Sequence, residues 1–584
     1  MNEESEYRTE PGRCARRAGS RRRNGSAQRA LVVAVLALTL VLSACRGADE
    51  PSGEPGSAEH GGTAVLAMVQ ESGGMNELFH DQSGAFIGGQ AAWVVEPLFI
   101  ARPDGTYEPL LAAEVPSVEN GGVSKDGLTV TLKLRDDITW SDGEPLTAKD
   151  LVFTWDVFQD PGSTALVPVV YEAVESVTAV DDLTVEVNLK EPTPAYLELY
   201  KHILPAHEFD STTVTAEHEQ ATLPLGTGPF VFDEFKAGDE ITLKRNEDYW
   251  RDPDLPYLDG ITLKIVPELE VATSAFLEGQ YDSVFFFTTG DLAELQSAQE
   301  AGAPIEVETQ KTDSWVEWLF LNHSTSGDPD VPHPVLGDPA VREAIDAGID
   351  RQAVIDEVLG GFGTIVGSPI YSGAYDVDIP AEEFDPDHAK EVLDEAGWEP
   401  GSDGIRVKDG VRASLEFQTV TGDHTRELYQ QIIQQNLQEV GIEMEIKNAP
   451  SNTIFGGYSE GGTLATGNYD TSMSRDGNYV DPAEWMAAFT CDAIPSQEKP
   501  NGETLGHYCN PEFDALAKQA ASSMDSTQRA ELYSQMAQIF HDDRVAIPIY
   551  SSTWGWAWNQ RLQGVSADYW SGIWPSVAEW YLTE

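Results

Sequence analysis

The sequence predicts a mixed α/β fold divided among more than one domain, and three observations carry that reading. The chain has 584 residues, more than a single hydrophobic core organises. Residues 414–446 spell a β-α-β unit. Residues 414–420 read as a strand. Leu428, Ile432, Ile433, Leu437 and Val440 then line one helical face stopped by Gly441, and Ile442, Met444 and Ile446 alternate. Finally, the early chain is hairpin-rich, the chain beyond about residue 310 alternates helix and strand, and from Ala546 the texture returns to β and aromatic. Lobes built from discontinuous segments fit that order. With 41% hydrophobic residues, 14 Trp, 19 Tyr and 21 Phe, disorder is excluded as the state of the whole chain.

In chain order, residues 13–29 are basic, with Arg13, Arg16, Arg17, Arg21, Arg22, Arg23 and Arg29, and an apolar run from Ala30 to Leu42 follows. That is a secretory signal, too short to span a bilayer comfortably. Leu42-Ser43-Ala44-Cys45 resembles the bacterial lipobox, in which the cysteine is acylated and becomes the new N-terminus. Residues 1–44 are therefore expected to be a lipoprotein signal peptide. Ser20-Arg21-Arg22 faintly resembles a twin-arginine signal but lacks its apolar pair, so the export route stays open. Residues 45–62, rich in Gly, Pro, Ser and Glu, have the composition of a flexible tether.

The body opens with strands. In 128–134, Leu128, Val130, Leu132 and Leu134 face one side of a half-buried strand. Thr147 and Asp150 fit a capping box before a helix that buries Leu151, Val152, Trp155 and Phe158. Leu183, Val185, Val187 and Leu189 alternate, and 230–235 with 241–245 form a hairpin about Gly238-Asp239. Asp338-Pro339, Asp385-Pro386 and Asn510-Pro511 each pair a cap with a proline at the first helical position. A further helix is read at 529–541, and no internal repeat is evident.

The net charge is −62, and residues 1–44 hold eight arginines against four glutamates, so the remainder is more acidic still. Such a surface repels nucleic acid and anionic headgroups. It leaves the ligand undefined and fits either a salt-rich habitat, where screening removes self-repulsion, or lineage bias. The four cysteines, Cys14, Cys45, Cys491 and Cys509, show no zinc spacing, and the 11 histidines form no H-x-x-x-H pair. The Asp-Pro-Asp runs at 252–254, 328–330 and 385–387 read as turns. No metal or other cofactor is expected. Gly457-Tyr458-Ser459-Glu460-Gly461 matches G-x-S-x-G, but its flanks do not supply the strand and helix of a nucleophile elbow, which leaves a secreted hydrolase as the remote alternative.

Several stretches resemble the large solute-binding proteins of the peptide/nickel ABC importer family: VVEPLF, DGTYEPLLA and DGLTVTLKLRDDITWSDGEPLTAKDLVFTW within 94–158, ILPAH (203–207), PLGTGPFVFDEFKAGDEITLKRNEDYW (224–250), LFLNHS with DPAVREAIDAGIDRQAVIDEVLGG (319–361), FDPDHAKEVLDEAGW (384–398), NPEFDALAKQA (510–520) and IPIY (547–550). They run in the family's order over roughly 63–584. The resemblance implies a periplasmic-binding-protein-like fold of two lobes joined by crossing strands, with an extra domain of the peptide-binder type. On that pattern lobe I comprises 63–105, 221–308 and 547–584, the extra domain II is 106–220, and lobe II is 309–546. It implies a binding subunit, not an enzyme, that captures a peptide or similar small solute and delivers it to a membrane permease with its ATPase subunits. The alternative ligands are an oligosaccharide, an opine or a metal chelate. A monomer is expected outside the cytoplasm, tied to the cell membrane only by its lipid, with no nucleic-acid partner.

The resemblance also places the second-lobe ligand loop at Arg475-Asp476-Gly477-Asn478-Tyr479-Val480-Asp481-Pro482. In oligopeptide binders of the family, an aspartate three residues after a Trp pairs with the peptide's α-amino group. Here those positions are Arg475 and Asn478, and a neutral amide does not neutralise a buried ammonium. Asp481 is either a substitute anion or a turn and helix cap before Pro482. Arg475 either meets a ligand carboxylate bidentately or pairs with a neighbouring Asp. Glu96, in the first-lobe ligand loop, binds a ligand cation or bridges the lobes. Tyr479, Trp93, Trp318, Trp485, Trp554 and Trp556 complete the expected ligand contacts; Trp315 and Trp318, three apart beside an apolar run, equally fit core packing for at least one of them. Cys491 and Cys509 are expected to be bridged, since the protein is extracytoplasmic and peptide-binding relatives carry a similar disulfide.

Overall fold

The structure, a computed structural model, describes residues 60–69, 74–80, 93–102, 105–285, 289–371, 373–477, 481–500, 502, 506–566 and 574–583. Cys45 with its flanking signal and tether, and Asn478 and Tyr479, lie outside the described residues.

One large mixed sheet runs through both lobes. Its strands are β1 (Thr63–Met68), β2 (Phe230–Lys236), β3 (Glu240–Arg245), β4 (Gly260–Ile265), β5 (Ser283–Phe285), β6 (Ile305–Leu321), β7 (Ser414–Gln418), β8 (Glu443–Ile446), β9 (Thr471–Gly477) and β10 (Ala546–Asn559). Their order is β8-β7-β9-β6-β10-β5-β1-β4-β3-β2, with Gly363–Thr364 added against β10. Lobe I holds β1 parallel to β4 and β5, extended by the antiparallel β4-β3-β2 meander. In lobe II, β7 lies parallel to β8 and β9.

The two lobes share β6 and β10. These strands span 17 and 14 residues and pair antiparallel along most of their length. Ile305–Lys311 of β6 lies opposite Thr553–Asn559, on the lobe I side. Val316–Phe320 lies opposite Ala546–Ser551, on the lobe II side, and also pairs β9. Between Lys311 and Val316 the register shifts, so the ladder is interrupted where the chain passes from one lobe to the other.

Domain II packs a three-stranded antiparallel sheet (Thr129–Lys133, Thr184–Leu189, Val174–Ala179) against α1 (Ala148–Gln159). The Asp150 carboxylate accepts from the Thr147 backbone N–H at 2.8 Å, which closes the anticipated capping box. Leu151, Trp155 and Phe158 of α1 are buried, while Val152 packs at the core margin. Leu98 and Phe99 also enter this core, so its packing begins before residue 106.

Lobe II surrounds its half of the sheet with α2 (Pro339–Ala347), α3 (Pro386–Glu395), α4 (His424–Val440), α5 (Pro511–Ser522) and α6 (Ser526–Asp543). Asp338, Asp385 and Asn510 cap α2, α3 and α5, each ahead of a first-turn proline. Gly441 ends α4 at φ 92°, a left-handed position that favours glycine. The buried face of α4 is Tyr429, Ile433, Leu437 and Val440; Leu428 is exposed and Ile432 lies at the margin, a rotation from the anticipated stripe. Ile547, Ile549 and Tyr550 of β10 join this core. Among the described residues, no helix is long and apolar enough to cross a membrane.

Candidate ligand-binding site

The crossover of β6 and β10 is where two lobes can enclose a solute, and the residues around it are unusually polar for strand interior. Glu317 follows Val316 and precedes Trp318, both buried. Cross-strand register puts it opposite Arg475 of β9 and Tyr550 of β10. Its carboxylate is fully buried and accepts from Arg426 of α4, at 2.7 Å from Nε and 3.3 Å from Nη2. Arg475 Nε stands 3.6 Å from the same carboxylate. Arg426 also meets Asp423 at 3.2 Å.

Arg475 therefore has a weak share of Glu317. Its side chain is 37% exposed, whereas that of Arg426 is 14% exposed. Burial lowers the proton affinity of Arg475, but the Glu317 charge, with Tyr550 and Tyr429, raises it on balance and holds the guanidinium ionised. Two positions along the ladder, opposite Gly477, Trp315 is 38% exposed. A cation and an indole, each partly exposed, thus lie on neighbouring strands at the crossover.

Several sequence-predicted residues are placed elsewhere. Trp93 is fully buried, packed edge-on to Trp580 at 5.5 Å in the lobe I core. Trp318 and Trp485 lie together at 5.6 Å in a lobe II core with Phe540 and Phe489. The Trp485 indole donates to the Pro369 carbonyl at 3.1 Å. These three indoles were expected at the ligand, and the correction has a simple cause: large apolar side chains on central strands and their covering helices are the cheapest core filling. Trp556 packs against the lobe I core, and Trp554, two residues away on the same strand face, is partly exposed nearer the crossover.

Glu96 is likewise a buried group in this conformation, not a surface carboxylate. It accepts from Thr227 Oγ1 at 3.0 Å, Tyr249 Oη at 2.9 Å and Trp250 Nε1 at 2.8 Å. Those bonds tie the 94–96 segment to the loop after domain II. The tight fit shows at Gly228 too, where a Cβ would lie 2.5 Å from the Trp93 carbonyl oxygen. Asp481 caps the helix Ala483–Ala487 by accepting from Ala483 N at 3.0 Å, takes a hydrogen bond from Tyr533 Oη at 2.9 Å, and pairs with Arg529. Its charge is spent inside lobe II. Asn478 and Tyr479 of the same loop are outside the described residues.

Glu317, Arg426 and Arg529 were not singled out from sequence. The signal for Glu317 was present: a carboxylate inside the run Val316–Leu321 demands a cation, since a buried charge without one is very costly. Nothing local identified Arg426 as that cation.

Cys491 and Cys509 are joined by a disulfide. Tyr458–Glu460 forms a single 3-10 turn between the short helices Ser451–Ile454 and Thr463–Thr466, so Ser459 does not stand on a strand-to-helix elbow. On domain II, ligand atoms of Asp142, His207 and Glu208 lie within 4.8 Å of one another, but His207 Nε2 already bonds Asp142 at 2.8 Å and Gln220 Nε2 donates to Glu208 at 3.3 Å.

Two lobes on one continuous sheet, joined by two shared strands, define the two-lobed binding-protein fold. The chain belongs to the bacterial extracellular solute-binding proteins, family 5, whose profile (family 5 Middle) matches residues 106–495. It is 26% identical to the oligopeptide-binding protein AppA of Bacillus subtilis, over 91% of this chain and 94% of that one. It is 24% identical to the nickel-binding periplasmic protein of Escherichia coli, over 78% and 83%. Among solved structures, NikA from Brucella suis in complex with Fe(III)-EDTA superposes with a TM-score of 0.73 at 24% identity, over 89% of this chain and all of that one. AppA of Bacillus subtilis in complex with a nonapeptide superposes at 0.66 and 23%, over 90% and all. At these identities the structures establish the shared fold.

Proposed function

We propose that the chain captures a carboxylate-bearing solute, a peptide first of all, between its two lobes and presents it to the permease and ATPase subunits of an ABC importer. The observation that carries this is Arg475 at the crossover, whose side chain is 37% exposed and whose counter-ion is held more closely by Arg426. A planar guanidinium suits a carboxylate. Peptides, opines and metal chelates all supply one. Relatives named for oligopeptides and for nickel, and structures holding a nonapeptide and Fe(III)-EDTA, fall within that chemistry. Asp481 is committed to Arg529 and Tyr533, so a free peptide amine would meet no compensating charge from it. Acetylated peptides are therefore expected to bind at least as tightly as their free-amine counterparts.

Calorimetry tests the reading. Charge-assisted hydrogen bonds contribute about 1.5–3 kcal/mol, so Arg475→Gln is expected to weaken a free-carboxylate peptide about 10- to 100-fold and its C-terminal amide far less. Equal losses for both, or none for either, would contradict a carboxylate at Arg475. A neutral oligosaccharide is the second reading, favoured by the exposed face of Trp315. It predicts binding that survives Arg475→Gln and fails in Trp315→Ala.

We further infer that Cys45 carries lipid and holds the body at the outer face of the membrane through the 45–62 tether, on the strength of the Leu42-Ser43-Ala44-Cys45 motif. Cys45→Ala is expected to lose palmitate labelling and to be released into the medium or periplasm. Retention of both label and membrane association would show that the anchor lies elsewhere.

A further inference from the structure

Domain II and lobe II have no direct chain connection; residues 221–308 of lobe I lie between them in the sequence. Yet they touch. The hairpin Phe99–Ala101/Tyr107–Pro109 reaches the 3-10 turn Gly373–Tyr375, close enough that a Cβ on Gly105 would collide with the backbone of Ala374. A second contact lies on the loop between α5 and α6. There Met524 packs against the domain II core, and a Cβ on Gly127 would lie 2.8 Å from Met524 Cγ and 3.0 Å from Pro192 Cβ. Both touching glycines have positive φ, 77° at Gly105 and 71° at Gly127, a region that glycine enters without strain.

The lobe II side of this seam is rigidly built. Arg529 of α6 lies over the Tyr375 ring at 4.8 Å and over Tyr533 at 5.5 Å, donates to Tyr375 Oη at 2.8 Å and pairs with Asp481. Facing it from domain II is Tyr107, bonded to Glu198, which in turn pairs with Lys201. Burial and the Glu198 charge push the Tyr107 hydroxyl up, and the Arg529 charge opposes them from across the seam.

We propose that this seam is a closure latch: the Met524 loop docks on the Gly127–Pro192 surface of domain II and Gly105 docks on Ala374, so that the lobes hold the closed arrangement through protein–protein contacts as well as through the solute. The proposal rests on the reading that the lobes move about the β6–β10 crossover. A latch of this kind raises the closed population before a solute arrives and must be undone for release.

The test uses the full chain, refolded from denaturant to strip any bound solute, with Met524→Cys probed by maleimide and read at position 524 by peptide mass spectrometry. The reference is Val180→Cys, at a site 61% exposed. A closed population of about 90% protects the thiol introduced at position 524 about tenfold against the reference. Met524→Asp, and independently Pro192→Asp on the opposite surface, are each expected to increase the radius of gyration of the stripped protein in small-angle scattering. Labelling at position 524 as fast as at position 180 would overturn the latch and leave solute-driven closure untouched. Slow labelling combined with no expansion in either aspartate variant would also overturn it, by showing a fixed interface, and would count against lobe movement itself.

Discussion

Glu317→Ala is expected to lower the unfolding free energy by about 3–5 kcal/mol, because it leaves a buried guanidinium without its counter-ion. The carboxylate is fully buried, and Arg426, with 14% of its side chain exposed, makes two contacts to it. Removing the acid strands Arg426 between α4 and β6, with only Asp423 at 3.2 Å to offset it. Glu317→Gln keeps the volume and one acceptor, and should fall between wild type and the alanine variant. Urea unfolding at neutral pH measures both. A loss below about 1 kcal/mol for Glu317→Ala would mean that Arg426 turns out to water at little cost, as surface pairs do. The consequence for binding is separate. With Glu317 gone, Arg475 loses the only carboxylate paired with it among the described residues, so its geometry toward a solute loosens even where the fold survives.

Glu96→Gln is expected to flatten a pH dependence of stability that the wild type shows near neutrality. Burial raises the Glu96 carboxyl from 4.5 to about 7, while hydrogen bonds from Trp250, Tyr249 and Thr227 and the Arg251 charge pull the other way. The folded state thus binds this proton more tightly than the unfolded chain. The resulting stability is fully present below about pH 4.5 and is lost as pH rises through about 7. Between about pH 5 and about pH 8 the difference in unfolding free energy between wild type and Glu96→Gln should change by on the order of 2–3 kcal/mol, in the direction that penalises wild type at the higher pH. The substituted amide can keep accepting from Thr227 and Trp250 through its carbonyl and donate to Tyr249, so the variant should fold. Parallel pH profiles for the two proteins would show that Glu96 does not titrate in this range.

What the sequence made legible was local. Asp338, Asp385 and Asn510 cap helices because a short acceptor side chain before proline fixes a helix start from a few adjacent residues. Gly441 stops α4 for an equally local reason. The buried face of α4 is not settled locally, because Leu428 and Tyr429 are neighbours of similar apolarity, and only the packing partner, Tyr550 at 5.9 Å from Tyr429, decides which turns inward. The site was less legible because its groups come from far apart: Glu317 and Arg426 are 109 positions apart, and Arg529 is 48 from Asp481. Trp93, Trp318 and Trp485 show the same limit. An indole suits a core and a cleft equally until the covering layer is known. For Asp481 the local role as a cap is readable from Pro482, but its charge partner lies beyond the reach of periodicity.

Closure of two lobes over a solute that is returned unchanged can be followed through one full cycle on the same molecule. Native mass spectrometry of protein taken from cells gives the mass of the trapped solute. The solute is then released by unfolding, identified, and added back to refolded protein under small-angle scattering. A one-to-one complex, a smaller radius of gyration on saturation, and a solute recovered with its original mass and covalent structure are expected. Tight rebinding with no contraction, or recovery of the solute as a cleaved or otherwise altered product, would contradict that cycle.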